Sequence, residues 1–327
     1  MKIQTVCACV VGLLVSVAGV GYGQTPAAQP PLQETVAPDI PGIVAGGTRV
    51  EILGAAFKGT DGAITLPDGS LLFAEPNAKR LTKIDDGKAV SAFLDIPDGA
   101  MPMGLAFDAK GRLISFRRPA GAGPQIAVIS PKGSEAVLAD GLVAPNDLIV
   151  TKEGGLYITD PGRGPVAAKP NPPPNAPAVY YVPPGGKAIR VIAEGIDYPN
   201  GLGLSMDEKT FYLNDSNGDY VLAFDVAKDG TLSNRRNFAK YLGPWEGRQG
   251  GHYDGMTVDS RDRVYVASPA GIQIFSPKGA HLGTIPMPGD GQSLAFAGPG
   301  KKTLYVIGRG GVFKVRMLAE GPTKRAK

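Results

Sequence analysis

Short apolar strands alternate with turns along most of the chain, and this pattern repeats six times. Each copy contains a strand rich in Leu, Tyr and Val, and several of these strands follow a turn such as Pro67-Asp68-Gly69. Asp and Gly accept the backbone angles that a tight hairpin requires. The Leu/Tyr/Val-rich strands are predicted at residues 70–74, 112–116, 155–159, 210–214, 263–267 and 303–307.

The spacing of the copies, roughly 40 to 54 residues, is the size of a four-stranded propeller blade. The sequence therefore predicts an all-β fold, a six-bladed β-propeller over residues 46–318. The last copy ends without a fourth strand, and residues 49–53 ahead of the first copy are free to supply it. We therefore expect an N-terminal strand to close the ring and cover a sheet edge.

The first 23 residues differ from the repeats and predict a secretory signal peptide. Lys2 precedes an apolar stretch that ends at the small residues Gly21-Tyr22-Gly23. A retained membrane anchor is the alternative, but the stretch is short for a bilayer span. We expect a periplasmic or secreted protein without stable membrane insertion after cleavage. Both cysteines, Cys7 and Cys9, lie in this segment, so no disulfide is expected in the mature chain.

Composition agrees with the repeat, since 46 Gly and 30 Pro among 43% apolar residues describe many strands broken by turns. The net charge of +4 comes from scattered basic residues, so nucleic acid is not an expected partner. Residues 24–45 contain several prolines and are predicted to be a flexible segment, and residues 319–327 are predicted to be a basic, solvated tail. The oligomeric state stays open.

The residue that enters the first strand of each blade points toward the channel axis at one mouth of a propeller. In the six copies, the residues at this position are Asp61, Met103, Asn146, Asn200, Asp254 and Gln292. Five of the six carry carboxylate or amide groups, although the strands that follow are apolar.

These side chains predict a metal site at the channel mouth. The predicted ligands are Asp61, Asn146, Asn200 and Asp254. An oxygen-only set suits calcium, which accepts about 6 to 8 oxygen ligands, whereas zinc prefers His and Cys. The alternative is that Asp and Asn before a strand only cap turns. Turn capping does not require convergence on an axis, and four such residues at one register favour the metal site.

Three segments carry a family resemblance. They are Ala144-Pro145-Asn146-Asp147-Leu148, Tyr198-Pro199-Asn200-Gly201-Leu202 and Asp254-Gly255-Met256-Thr257-Val258-Asp259. With these segments the chain resembles the senescence marker protein/gluconolactonase (regucalcin-like) family of six-bladed propellers, over about residues 50–316. The resemblance implies metal ligands at Asn200 and Asp254, a ligand or substrate contact at Asn146, and proton acceptance by Asp254.

The chain departs from the family pattern at three places. Asp61-Gly62-Ala63 stands where the family has Glu-Gly-Pro, which shortens the carboxylate by one methylene. Met103 stands where sugar lactonases often have Asn, and Phe116-Arg117-Arg118 stands where they have Cys-Glu-His. The last two changes concern groups expected to touch the substrate, so they weaken a sugar-lactone assignment more than the metal assignment.

The resemblance implies a metal-dependent hydrolase of lactones or related esters, in which calcium or another divalent cation polarises the carbonyl and activates water. The alternatives are a non-catalytic ligand-binding propeller and a phosphotriester or aryl-ester hydrolase that uses the same ion. The expected partner is a small-molecule substrate. Candidate substrate-binding residues are Met103, Arg118, Asp160, Trp245 and Gln292. A solvated Arg118, a turn-holding Asp160 and a Trp245 buried against a blade are the structural alternatives.

Overall fold

The computed structural model describes residues 32–86, 88–96, 99–162, 177–186, 188–243, 253–323, 325 and 327. Within these ranges the chain forms β-strands and two short 3-10 turns, at Pro76–Ala78 and Pro299–Lys301. None of the described residues belongs to a helix long and apolar enough to cross a bilayer. The strands are β1 (Thr35–Val36), β2 (Arg49–Gly54), β3 (Asp61–Thr65), β4 (Leu71–Glu75), β5 (Arg80–Ile84), β6 (Val90–Asp95), β7 (Met101–Phe107), β8 (Leu113–Arg118), β9 (Gln125–Ser130), β10 (Ala136–Ala139), β11 (Leu148–Val150), β12 (Leu156–Asp160), β13 (Ala178–Val182), β14 (Arg190–Glu194), β15 (Pro199–Leu204), β16 (Thr210–Asp215), β17 (Tyr220–Val226), β18 (Leu232–Lys240), β19 (Met256–Val258), β20 (Val264–Ser268), β21 (Gly271–Phe275), β22 (His281–Ile285), β23 (Ser293–Ala297), β24 (Thr303–Gly308) and β25 (Gly311–Arg316).

The strands form six sheets, which are the blades of a β-propeller. Blades one to five each contain four consecutive strands: β3 to β6, β7 to β10, β11 to β14, β15 to β18 and β19 to β22. Blade six combines β23, β24 and β25 with β2 and β1. The inner strands β3, β7, β11, β15, β19 and β23 contact one another in cyclic order around the channel. The predicted six-bladed propeller is confirmed.

Ring closure follows the prediction as well. β2 pairs antiparallel with β25, with Val50 opposite Val315 and Ile52 opposite Phe313. The pairing satisfies backbone groups at the edge of blade six, which would otherwise be open to another strand. The N-terminal strand therefore completes the last blade.

Apolar side chains fill the spaces between neighbouring blades rather than one central core. There are six such clusters among the described residues, one at each interface between adjacent blades. Tyr157, Tyr265 and Tyr305, among the largest fully buried side chains, lie at three different interfaces. Alternating strand residues supply these clusters, because successive side chains of a strand point to opposite faces.

Residues 35–45 correct the prediction of a flexible segment over 24–45. β1 pairs with β2, and Ala37, Ile40, Ile43 and Val44 are buried in the cluster between blades five and six. The prolines of this stretch suggested a linker, but its apolar side chains pack against the last blade. That part of the prediction was wrong.

We expect Val44→Ala to destabilise the protein by about 2 kcal/mol, because the valine is buried and its truncation leaves a cavity. The matched control is Val36→Ala, because Val36 is 56% exposed and its loss is expected to cost less than about 0.5 kcal/mol. Equilibrium urea unfolding measures both values. Equal losses would contradict the packing of this segment.

Candidate metal centre

A glycine follows the channel-mouth residue in four blades, and it permits close approach of the inner strands. These glycines are Gly62, Gly104, Gly201 and Gly255. A Cβ atom on Gly201 would lie 2.4 Å from the carbonyl oxygen of Asp254, and one on Gly255 would lie 2.6 Å from that of Gln292. Only glycine fits such contacts between backbones, so these positions bring neighbouring mouth residues together.

Hydrogen bonds between blades fix the same register. The Gly104 amide donates to Oδ1 of Asp61 at 3.1 Å, and the Gly255 amide donates to the carbonyl oxygen of Gln292 at 2.8 Å. Where blade six has Ser293 in place of glycine, its hydroxyl accepts the Ala63 amide at 3.0 Å. The predicted mouth residues therefore lie on strands that are tied directly to their neighbours.

Asp61 and Asp254, both partly buried, repel each other at the mouth. Burial and the charge of Asp61 raise the pKa of Asp254 to about 8. Burial raises the pKa of Asp61 to about 6, with a further contribution from Asp147. Burial and like charge both disfavour ionised carboxylates, and a cation among them relieves both effects.

Asn200 lies beside Asp254 and is only 2% exposed. Its Nδ2 donates to Oγ of Ser216 at 3.0 Å, and its side chain also hydrogen-bonds to the carboxylate of Asp254. Among the described residues no group donates to its Oδ1. A buried amide oxygen without a partner is costly, and a cation is one way to satisfy it.

Polar residues of blade four fix the backbone at Asp254 and at the residue before it. Nδ2 of Asn214 donates to the carbonyl oxygen of Asp254 at 2.6 Å, and Oδ1 of Asn214 accepts the Tyr241 hydroxyl at 2.9 Å. The Ser216 hydroxyl donates to the carbonyl oxygen of Tyr253. These residues were not predicted from the sequence, although the polar run from Asn214 to Ser216 at the end of an apolar strand was a usable signal.

Blade three adds a third carboxylate that was also missed. Asp147 occupies the register where four other blades have glycine, and it is 9% exposed. Its Oδ1 accepts the Leu148 amide at 2.9 Å, its Oδ2 accepts the Leu202 amide at 3.2 Å, and Oδ2 also pairs with Lys327. Its charge raises the pKa of both Asp61 and Asp254.

The remaining mouth positions are occupied by Asn146, Met103 and Gln292. The backbone N–H of Asn146 donates to the carbonyl oxygen of Thr159 at 2.8 Å, and the residue is partly buried. Met103 packs partly against the cluster between blades two and three. Oε1 of Gln292 accepts the Arg309 amide at 2.7 Å, and the charge of Arg309 lowers the pKa of Asp254. Arg309 is therefore a cation near the mouth that was not predicted from the sequence.

Asp160 differs from its predicted role as a substrate contact. It is fully buried, and its oxygens accept the amides of Val143 at 2.7 Å, Ala144 at 3.0 Å and Gly162 at 2.7 Å. The expectation of substrate contact was wrong, because backbone groups already occupy the carboxylate. Asp160 positions the loop that leads to Asn146.

Arg118 and Trp245 complete the predicted set. Arg118 is exposed, and its guanidinium donates to the carbonyl oxygen of Val143 at 3.2 Å, which places it on the rim beside the Asn146 loop. Trp245 lies outside the described residues.

The donors at this mouth fit a hard cation. Within the described ranges there is no cluster of three or more His, Cys, Asp and Glu arranged for a metal. The available set is two carboxylates, Asp61 and Asp254, with the amide oxygen of Asn200 and with Asn146 at the next mouth position. Carboxylate and carbonyl oxygens suit calcium or magnesium rather than zinc.

The sequence and the fold are both similar to those of known proteins. The family model described as SMP-30/Gluconolactonase/LRE-like region matches residues 60–308. The chain is 26% identical to a gluconolactonase from Zymomonas mobilis, over 87% of this chain and 85% of the relative. It is 31% identical to the lactonase drp35 from Staphylococcus saprophyticus, over 45% of this chain and 43% of the relative. A solved gluconolactonase from Xanthomonas campestris superposes with a TM-score of 0.70 at 27% identity, covering 88% of this chain and 99% of that one.

The raised pKa values predict an inverse dependence of stability on pH in protein treated with EDTA. Because the folded-state pKa of Asp254 is about 8 against an ordinary value of 3.8, the folded protein holds more protons than the unfolded chain between these values. Its free energy of unfolding therefore falls as pH rises through this window, by up to roughly 1 kcal/mol per pH unit from this residue.

The comparison of wild type with Asp254→Asn isolates this contribution, because other carboxylates titrate in both proteins. Urea unfolding at several pH values is expected to show wild type losing stability relative to the variant as pH rises. Parallel curves for the two proteins would contradict the electrostatic account.

Proposed function

Since the chain belongs to the SMP-30/gluconolactonase/LRE-like family, we propose that it is a lactone hydrolase that uses a divalent cation, calcium by preference. The proposed ligands are Asp61, Asn200 and Asp254, with Asn146 as a further ligand or substrate contact. The substrate is proposed to be a small lactone or related ester. The named activities of the Zymomonas mobilis and Xanthomonas campestris relatives support the lactone assignment.

One observation carries the metal assignment. Two carboxylates with raised pKa values and a buried amide oxygen without a partner among the described residues lie at the same channel mouth. Each feature is unfavourable by itself, and one bound cation relieves all of them. A ring that only capped turns would have no need for Asn200 Oδ1 to stay unpaired.

A divalent cation in such a site supplies polarisation of a substrate carbonyl. The protein side of the reaction is assigned to Asp254, whose carboxylate is the proposed proton acceptor. The hydrogen bond from Asn200 orients that carboxylate, and Asn214 fixes its backbone. Both interactions hold the proton acceptor at the mouth, where a substrate can reach it.

The rim residues bear on the substrate. Met103 offers a thioether where sugar-lactone relatives often have an amide, so it favours a less hydroxylated ring. Arg118, exposed beside the Asn146 loop, provides positive charge for a substrate with an anionic group. We therefore propose aliphatic or acidic lactones ahead of neutral sugar lactones.

We expect Asp254→Asn to lower kcat/KM for lactone hydrolysis by about 100-fold or more, because it removes a ligand and the proton acceptor. The matched control is Asp225→Asn at a half-exposed position of β17, which is expected to keep wild-type activity. The assay follows acid release from sugar lactones, aliphatic lactones, aryl esters and phosphotriesters after EDTA treatment and again with added calcium.

A hydrolysis rate that does not change on EDTA treatment would contradict the proposal, and so would equal activity of the two Asp→Asn variants. Faster hydrolysis of phosphotriesters or aryl esters than of lactones would assign the same ion to a different reaction. Calcium uptake without turnover of any substrate would identify a ligand-binding propeller.

We also propose that the protein is exported to the periplasm or secreted, on the basis of residues 1–23. Cell fractionation followed by N-terminal sequencing is expected to recover a chain that starts near Gln24 outside the cytosol. An uncleaved chain in the cytosol would contradict this.

A further inference from the structure

Two basic residues of the tail, Arg325 and Lys327, lie inside the propeller, contrary to the prediction of a solvated basic tail, whereas Glu320 and Thr323 are exposed. The side chains of Arg325 and Lys327 are each 7% exposed. Both line a cavity of about 1370 Å³ that lies at the ends of the inner strands, at the mouth opposite the candidate metal centre. Thr65, Phe107 and Val150 mark that mouth, since they end β3, β7 and β11.

A series of contacts guides the tail into this mouth. The Ile43 carbonyl accepts the amides of Leu318 and Ala319, at 2.8 and 3.1 Å. The Gly321 amide then donates to the carbonyl of Lys301 at 2.9 Å, and the Lys301 ammonium donates to the carbonyl of Pro322 at 2.6 Å. The same ammonium also donates to the Arg325 carbonyl. The tail is therefore held from blade six onward by backbone and charged groups.

Arg325 fastens the next part of the tail to blade four. Its guanidinium donates to the carbonyl oxygens of Leu204 and Ser205, both at 2.7 Å, and pairs with Glu208 at 3.0 Å. The Glu208 side chain is 10% exposed, so this is a largely desolvated ion pair. Such a pair is costly to leave half-formed, which favours the bound position of the tail.

Lys327 reaches farther along the channel and pairs with Asp147. Asp147 is one residue away from the mouth position Asn146, and the charge of Lys327 also lowers the pKa of Asp61. Among the described residues, the channel therefore holds three carboxylates, Asp61, Asp147 and Asp254, and one ammonium group, that of Lys327. A divalent cation together with Lys327 would match these three negative charges, since Arg309 is itself paired with Asp290.

We propose that the tail residues 321–323, Arg325 and Lys327 form a plug in the second mouth of the channel, in which Lys327 is the built-in counter-ion of Asp147. Lys327 is a positioning residue. Its ammonium pairs with the Asp147 carboxylate, so that the candidate metal centre is left to bind a single divalent cation. The evidence for the plug is the set of tail contacts alone. Its effect on cation binding rests on the proposed function.

Limited proteolysis tests the plug without any metal. Purified protein without a tag at the tail is treated with trypsin under native conditions, and its intact mass is followed. Cleavage after Arg325 is expected to be at least about tenfold faster in Lys327→Met than in wild type, because it depends on opening of the tail. Lys278→Met, which removes an exposed lysine from the turn between β21 and β22, is expected to match wild type. Wild-type cleavage as fast as in the unfolded chain would overturn the plug.

A double-mutant cycle tests the counter-ion. Lys327→Met is expected to lower the urea midpoint by leaving Asp147 buried and unpaired, and addition of Asp147→Asn is expected to restore most of it. Additive losses from the two substitutions would overturn the pairing.

Calorimetry with calcium on EDTA-treated protein tests the electrostatic effect. Lys327→Met is expected to bind calcium about tenfold more tightly than wild type, since a positive charge near the site has been removed. Equal affinities in Lys327→Met and Lys278→Met would overturn this effect. Absence of calcium uptake in every variant would overturn the metal site of the proposed function, and the trypsin and urea experiments would still decide the plug.

Discussion

Contact between the backbones of neighbouring inner strands is the constraint on which the candidate site depends. At Gly201 and Gly255 there is no room for a Cβ atom, because the next blade lies against the glycine. The mouth residues that precede these glycines, Asn200 and Asp254, are drawn together by the same approach. A side chain at either glycine would separate the two blades and the two ligands with them.

This approach places charges of the same sign close to one another in a partly buried site. Burial and mutual repulsion both disfavour the ionised forms of Asp61 and Asp254, as the raised pKa of each residue indicates. The fold is stabilised instead by the apolar clusters between neighbouring blades. The propeller thus separates the residues that stabilise the ring from those that carry the chemistry.

Much of this architecture could be predicted from the sequence, because blades are local repeats whose strands pair with their immediate neighbours. The register of the six mouth residues follows from the repeat alone. The supporting groups could not be predicted in this way. Asn214 contacts Asp254 across the interface between blades four and five, and Lys327 pairs with Asp147 over 180 residues of sequence, so the local sequence does not show which groups meet. The burial of the apolar residues from Ala37 to Val44 was not predicted, because the prolines around them indicated a flexible segment.

The closure of blade six by β2 has a consequence for how the molecule is made. β2 contributes near residue 50, whereas its partner β25 begins at Gly311, so the pair forms only after almost the whole domain has been synthesised. Until then β2 has an unpaired edge, and the apolar stretch that includes Val44 has nothing to cover it. Contacts of such long range are slow to form, which makes completion of the circle a late step and exposes the nascent chain to aggregation or to capture by chaperones.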